Sequence, residues 1–182
     1  MGIEKNFETS QTPHLIVDQI HGNMQLRAWG ESRVMVSGNG NDYHFNQEGK
    51  EIHLGNFNGC RIFVPVAASV TLDQIHGNAN ISGVRGQINV QRIHGSLNGE
   101  ALGTLRVGHV DGNLSAREVA GPLLIGRVRG NFQASEVKGD LKLEVCEGNC
   151  SVREVEGAVA LARIHGNYNG TETFGVTAES IS

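Results

Sequence analysis

The sequence contains little proline, few aromatic residues and few cysteines, and each shortage excludes a class of protein. Of the 182 residues, 3 are proline, 3 are cysteine and 5% are aromatic. A proline content this low excludes collagen-like and proline-rich linker sequences. An odd number of cysteines does not build a disulfide framework, so we expect reduced thiols. No apolar run approaches the roughly 18 residues of a membrane-spanning helix, so we expect no membrane span.

Charge is also scarce, and its balance bears on partners and location. The chain has 15 Lys and Arg against 19 Asp and Glu, a formal net charge of −4. Nucleic-acid-binding domains usually have a basic excess, so we expect no nucleic acid partner. The first residues, Met1 to Asn6, carry no apolar stretch of the kind a signal peptide needs. We therefore expect a cytoplasmic protein, and the cell surface stays open as its location if a signal peptide has been removed.

Glycine is abundant instead, with 25 residues, about twice the usual share of ~7%. In the second part of the chain it recurs every nine residues, with a single step of eight. The repeat glycines are Gly77, Gly86, Gly95, Gly103, Gly112, Gly121, Gly130, Gly139, Gly148, Gly157 and Gly166. Counting the residue before each glycine as the first, the fourth, sixth and ninth positions are mostly apolar. This alternation predicts short strands with those side chains inward. The glycine itself predicts a turn where a side chain would clash or φ is positive.

A longer period contains the nine-residue unit. Gly-Asn begins nearly every second unit, as at Gly77, Gly112, Gly130, Gly148 and Gly166, and never begins the units between them. The true repeat is therefore about 18 residues, made of two unlike halves. We predict an all-β, two-sheeted, right-handed parallel β-solenoid without helices, with one coil per 18 residues. The whole chain, 1–182, is predicted as one domain with irregular opening coils over 1–75 and regular nonapeptide repeats over 76–182.

The motifs resemble those of a known family. An extended segment ending in Val64-Pro65-Val66 precedes tandem units such as Ile75-His76-Gly77-Asn78. This arrangement is similar to the bacterial putative-adhesin family of β-solenoid proteins, whose members usually read valine-serine-glycine-aspartate at these units; that aspartate is present here at Asp140. The bactofilins, which form polymers, are a weaker resemblance. The family resemblance implies a parallel β-helix and no catalytic residues, and the function of that family is largely unknown.

Several residue sets are candidates for metal sites. His76 and His94, 18 residues apart, are predicted to stack on adjacent coils, where two imidazoles could share a zinc or nickel ion. However, the same column continues with other residue types, which favours a solvated turn. Cys146 and Cys150 fall on inward positions and are predicted to be core residues. The repeats also lack the acidic position of calcium-binding nonapeptides. We therefore expect no metal and no cofactor.

Two kinds of surface are candidate interaction sites. The outward positions of the Gly-Asn half predict a polar binding face, with Ser115 and Ser151 beside Asn78, Asn80, Asn98, Asn113, Asn131, Gln133, Asn149, Asn167 and Asn169. The alternative for this face is an amide ladder that only stabilises the stacked strands. The two turns of each coil predict oppositely charged association edges, a basic one with Arg92, Arg127, Arg129 and Arg163 and an acidic one with Glu118, Glu136, Glu154 and Glu156.

Two functions are therefore open from the sequence. The first is a non-catalytic structural or scaffold protein that self-associates into a homo-oligomer through its solenoid surface. The alternative is an adhesin-like module that recognises a glycan or a protein on the Asn-rich face. A β-helix enzyme that cleaves polysaccharides is disfavoured, because such enzymes need long loops to build a groove and the repeats over 76–166 have none.

Overall fold

A computed structural model describes residues 2–40 and 44–181, and within them the protein is an all-β solenoid without a helix. This confirms the predicted fold class. None of the described residues forms a helix that could span a bilayer. The strands in these ranges are β1 (Gly2–Glu8), β2 (His14–Ile20), β3 (Met24–Trp29), β4 (Arg33–Asn39), β5 (His44–Glu48), β6 (Glu51–Gly55), β7 (Gly59–Pro65), β8 (Ser69–Ile75), β9 (Ala79–Ser82), β10 (Gln87–Ile93), β11 (Leu97–Leu102), β12 (Thr104–Val110), β13 (Leu114–Val119), β14 (Leu123–Val128), β15 (Phe132–Val137), β16 (Leu141–Cys146), β17 (Cys150–Ile164) and β18 (Tyr168–Ile181).

Each coil places one strand in each of two parallel sheets. Residues one repeat apart are paired in register, as Leu114 with Phe132 and Leu123 with Leu141. One sheet, which we call the Gly-Asn sheet, contains β3, β9, β11, β13, β15 and the first parts of β17 and β18. The opposite sheet contains β2, β8, β10, β12, β14, β16 and the second parts of β17 and β18. Six coils follow one another from β8 to the first part of β18.

The core between the two sheets is formed by the predicted inward positions. Leu114 and Leu141 at the fourth position are 1% exposed, and Val128 at the ninth is fully buried. Burying one such side chain contributes about 1.5–3 kcal/mol of transfer free energy. Tyr168, the last fourth-position residue, is only partly buried. The alternating pattern of the sequence therefore predicted the inward face of the coils correctly.

The repeat glycines are required because neighbouring coils approach closely at the turn. A Cβ on Gly148 would lie 2.6 Å from the carbonyl oxygen of Gly130, and a Cβ on Gly130 would lie 2.6 Å from that of Gly112. Positive φ angles among the described glycines occur elsewhere, at Gly49, Gly83 and Gly175. Of the two reasons that the sequence left open, steric clash is therefore the correct one.

The first part of the chain does not stack its coils in sequence order. Strand β2 lies between β6 and β8, and β3 lies between β7 and β9. The coil made by β6 and β7 therefore packs on the outer side of the coil made by β2 and β3. Antiparallel pairs β1–β4, β4–β7 and β5–β6 extend the sheets beyond it. Sequence periodicity contains no information on this order.

The two ends of the solenoid differ. At the first end of the core, the ring centroid of Phe45 lies 5.7 Å from that of Phe7 and 5.7 Å from that of Phe57. Phe57 is fully buried. At the other end Val176 and Ile181 of β18 are 40% and 49% exposed. Both are in register with fully buried residues of β17. The aromatic cluster therefore covers the first end of the core, whereas the inward positions of β18 are exposed.

Near the first end, the composition of Gly38-Asn39-Gly40-Asn41-Asp42 predicts a turn, and Tyr43-His44-Phe45 predicts a strand. The turn prediction is wrong at its start, because β4 continues through Gly38 and Asn39, which pair with Cys60 and Gly59 of β7. Asn41, Asp42 and Tyr43 lie outside the described residues, and His44 and Phe45 begin β5 as predicted.

Candidate functional site

A groove runs along the outer surface of the Gly-Asn sheet. It has a volume of about 490 Å³ and crosses four successive coils through β11, β13, β15 and β17. Its floor is a column of uncharged polar side chains that are register partners on neighbouring strands. These residues are Asn98, Ser115, Gln133 and Ser151. The strand periodicity places this fifth repeat position outward, which is why the polar residues face solvent.

A second column forms one wall of the groove. It contains Glu100, Arg117, Ser135 and Arg153, which also pair in register from strand to strand. The Nε of Arg117 lies 3.4 Å from a carboxylate oxygen of Glu136, so this pair neutralises part of the wall. Ser135 is short and stands between the two arginines. The short serines leave the space that makes the surface concave.

The floor residues have free hydrogen-bonding capacity. Within the described chain, the side chains of Ser115, Gln133 and Ser151 make no hydrogen bond to another protein group, and neither does that of Asn98. Amides and hydroxyls can each donate and accept. The groove therefore offers a row of unused donors and acceptors to a ligand.

Other asparagines of the predicted binding face have a structural role. The Oδ1 of Asn113 accepts a 2.8 Å hydrogen bond from the backbone N–H of Asn131, and Asn131 does the same for Asn149 at 2.9 Å. Asn78 accepts from the N–H of Ser96, and Asn149 from that of Asn167. These residues follow the repeat glycine and line the turn. They form the amide ladder that the sequence offered as the alternative to a binding face.

The structure thus separates the predicted face into two sets. The turn ladder contains Asn78, Asn113, Asn131, Asn149 and Asn167, whereas Asn80, Asn98, Gln133 and Asn169 lie on the outward side of strands. Of the second set, Asn98 and Gln133 line the groove. The wall residues Arg117, Ser135 and Arg153 were not predicted as part of a binding face. Their outward seventh position in the repeat is the signal that could have identified them.

The predicted basic edge is a column on the opposite sheet. Arg92, Arg127 and Arg163 alternate in register with His109 and Val145 along this column. All three arginines are exposed, and none forms an ion pair with another described residue. They therefore present uncompensated positive charge at every second coil.

Arg129 belongs to a different environment from the other three arginines. Its Nη1 lies 3.0 Å from Oδ1 of Asp111, which is also 2.9 Å from Nε2 of His109. The other carboxylate oxygen of Asp111 lies 2.9 Å from Nδ1 of His94. The hydrogen bond with His109, followed by the nearby positive charges, lowers the pKa of Asp111 although its partial burial opposes the shift. Asp111 therefore joins three coils.

The rings of His76 and His94 stack as predicted, and the ring of His21 stacks on that of His76 in the same way. The ring centroids of His21 and His76 are 5.3 Å apart, and those of His76 and His94 are 4.9 Å apart, with interplanar angles of 12° and 10°. His165 lies further along the same turn column. Among residues 2–40 and 44–181, no three His, Cys, Asp or Glu side chains converge on a position that could hold a metal ion.

The acidic edge lies where the chain passes from the Gly-Asn sheet towards the opposite sheet. Glu118, Glu136 and Glu154 occupy equivalent positions with φ between 52° and 55°, and Ala101 and Glu172 share this left-handed conformation. Such a conformation costs a non-glycine residue about 1–2 kcal/mol. The exposed Glu156 extends the edge beyond the turn. The sequence predicted the charge of this edge but contained no signal for its backbone conformation.

The three cysteine thiols are buried and have low reactivity. Burial raises the pKa of both Cys60 and Cys150 to about 12, and it also raises that of Cys146. Because the thiolate is the reactive form, these residues are poor nucleophiles at neutral pH. Cys146 and Cys150 contribute to the core, as the sequence predicted.

No family model and no curated protein matches this chain. Solved bacterial structures that it resembles include a putative adhesin from Bacteroides fragilis, at 13% identity and a TM-score of 0.32, with 98% of this chain and 97% of that chain covered. A putative cell adhesion protein from Clostridium sporogenes has 9% identity and a TM-score of 0.36, with coverage of 98% and 99%. A putative adhesin from Parabacteroides merdae has 10% identity and a TM-score of 0.32, with coverage of 97% and 95%.

These proteins carry the adhesin description that the sequence resemblance pointed to. The fold and the groove define the class of this protein as a parallel β-solenoid with a polar groove on one sheet.

Proposed function

We propose that this protein is a non-catalytic, adhesin-like binding module that holds an extended polar polymer, a glycan or a protein segment, in the groove of the Gly-Asn sheet. The observation that carries the proposal is the row of hydrogen-bonding side chains along the groove floor, which have no protein partners. Side chains with free donors and acceptors in a concave surface favour a polar ligand.

The shape of the groove supports binding rather than catalysis. The groove is open along its length, and its walls are side chains projecting from strands rather than loops that could close over a substrate. Catalytic sites usually exclude water and hold reacting groups in a fixed constellation. An open row of repeated residues provides neither.

A glycan and peptide array tests this proposal. We expect the wild-type protein to retain a defined subset of polar polymers and to release them chemically intact, as judged by mass spectrometry. Gln133→Ala removes the longest side chain of the groove floor and should weaken the retained signal. Gln91→Ala, an equally exposed change on the opposite sheet, is the matched control. Binding that is unaffected by Gln133→Ala, or a ligand released in cleaved form, would contradict the proposal.

Self-association into a scaffold is a second candidate. It is favoured by the unpaired arginine column of Arg92, Arg127 and Arg163 on the opposite sheet and by the glutamate column where the same coils leave the Gly-Asn sheet. The glutamates recur at every coil, ~4.8 Å apart, and the arginines at every second coil, ~9.6 Å apart, so each arginine can face every second glutamate of a second copy when the two edges align. Such a contact joins two different surfaces and would extend into a chain or close into a ring.

A further inference from the structure

The floor of the groove repeats at the spacing of the coils. Asn98, Ser115, Gln133 and Ser151 stand on adjacent parallel strands and are direct register partners. Parallel strands lie ~4.8 Å apart, so the floor presents one polar side chain every ~4.8 Å along the solenoid axis. Four such positions span about 14 Å, which is three strand spacings.

This spacing discriminates between two kinds of extended polymer. A peptide in extended conformation places side chains on one face every ~6.6–6.8 Å, so its second side chain already falls between two coils. A β-1,4-linked hexose chain is extended and advances by about one coil spacing per sugar, with successive sugars rotated by about half a turn. Each sugar of such a chain can therefore lie over one floor residue, with alternate sugars presenting opposite edges, whereas the side chains of an extended peptide do not keep this spacing.

The charge of the groove discriminates between acidic and neutral polymers. Its lining contains two arginines and three glutamates, and Arg117 is already engaged by Glu136. An acidic polymer would meet more negative than positive charge, because two further glutamates of the lining, Glu100 and Glu154, stand against one further arginine, Arg153. The floor itself is neutral, and amides and hydroxyls match the mixed donor and acceptor character of sugar hydroxyls. The chemistry therefore favours a neutral chain rich in hydroxyl groups.

We infer that the ligand is a neutral, linear, β-1,4-linked hexose polymer that lies along the solenoid axis with one sugar over each of four coils. This inference rests on the binding function proposed above and specifies its ligand class. The floor residues Asn98, Ser115, Gln133 and Ser151 each contact one sugar, and the Arg–Glu wall contacts hydroxyl groups at the side.

Isothermal titration calorimetry tests the match of one sugar to each coil. The ligands are β-1,4-linked oligomers of glucose and of N-acetylglucosamine with two to six sugars. We expect affinity to rise severalfold with each added sugar up to four and then to stay level. Gln133→Ala should lower the affinity for the tetramer about three- to tenfold, as expected for loss of one or two hydrogen bonds. The control Gln91→Ala should leave it unchanged, and matching melting temperatures establish that both variants are folded.

Other probes separate failure of this inference from failure of the proposed function. β-1,4-linked uronic acid oligomers and a polar peptide of similar length are titrated in parallel. If either binds more tightly than the neutral sugars and depends on Gln133, the groove is a binding site but the neutral-sugar assignment is wrong. Affinity that keeps rising through six sugars overturns the four-coil register. If no probe binds and the array is blank, the binding function falls as well.

Discussion

Replacing a repeat glycine by alanine should destabilise the solenoid far more than an ordinary surface substitution. In Gly148→Ala the new Cβ would lie 2.6 Å from the carbonyl oxygen of Gly130 and 2.8 Å from Oδ1 of Asn131. Real Cβ atoms do not approach this closely, so the two coils must separate locally. Two hydrogen bonds cross this contact, from Gly148 N to Gly130 O at 3.2 Å and from Asn149 N to Asn131 Oδ1 at 2.9 Å.

The loss of unfolding free energy in Gly148→Ala follows from these contacts. Weakening two hydrogen bonds costs about 1–3 kcal/mol at ~0.5–1.5 kcal/mol each. Relieving the overlap adds a strain of ~1–3 kcal/mol typical of overpacked sites. The expected total of about 2–6 kcal/mol corresponds to a fall in melting temperature of roughly 4–24 °C, at ~2–4 °C per kcal/mol for a chain of this size.

Gly30→Ala is the matched control, because a Cβ there would meet nothing within 4 Å and the backbone has no positive φ. This change should be neutral or slightly stabilising, since alanine restricts the unfolded chain. Thermal and urea unfolding followed by circular dichroism measure both variants. If Gly148→Ala and Gly30→Ala melt together with the wild type, close approach of the coils is not the reason for glycine at these turns.

Further substitutions test the core, the carboxylate at the histidine turn and the charged edges. Leu141→Ala should cost ~2–5 kcal/mol in urea unfolding, whereas Asn113→Asp, which keeps its acceptor oxygen, should be nearly silent; equal losses would refute the register. Asp111→Asn should lower the melting temperature. Because the pKa of Asp111 is lowered in the folded state, the extra stability of the wild type over this variant should be present above pH ~4 and disappear as the pH falls through that lowered pKa. An advantage that persists at the acid end of the scan would contradict this linkage. Arg127→Glu combined with Arg163→Glu should reduce association in low-salt light scattering without unfolding the monomer, and 1 M salt should mimic it by shortening the Debye length to ~3 Å. A wild-type protein that stays monomeric at low salt and high concentration would remove the scaffold candidate.

The candidate site was only partly predictable from sequence. The outward position of Gln133 follows from strand alternation, so its place on a polar face was predicted. Asn131 was assigned to the same face because it also is polar and precedes an inward residue. Only the contact with the neighbouring coil distinguishes Asn131, whose side-chain oxygen accepts a hydrogen bond from the backbone N–H of Asn149.

The sequence by itself determined the coil: its 18-residue length, its two unlike halves and the inward positions such as Leu141 and Val128. These properties are visible in sequence because side-chain alternation and turn spacing act within a few residues of the chain. The tertiary structure decided how coils meet. It placed the β6–β7 coil outside the β2–β3 coil, brought the four floor residues into one groove and set the left-handed turns at Glu118 and its equivalents. Those features depend on contacts between residues 17 or more positions apart, where no local periodicity distinguishes one neighbour from another.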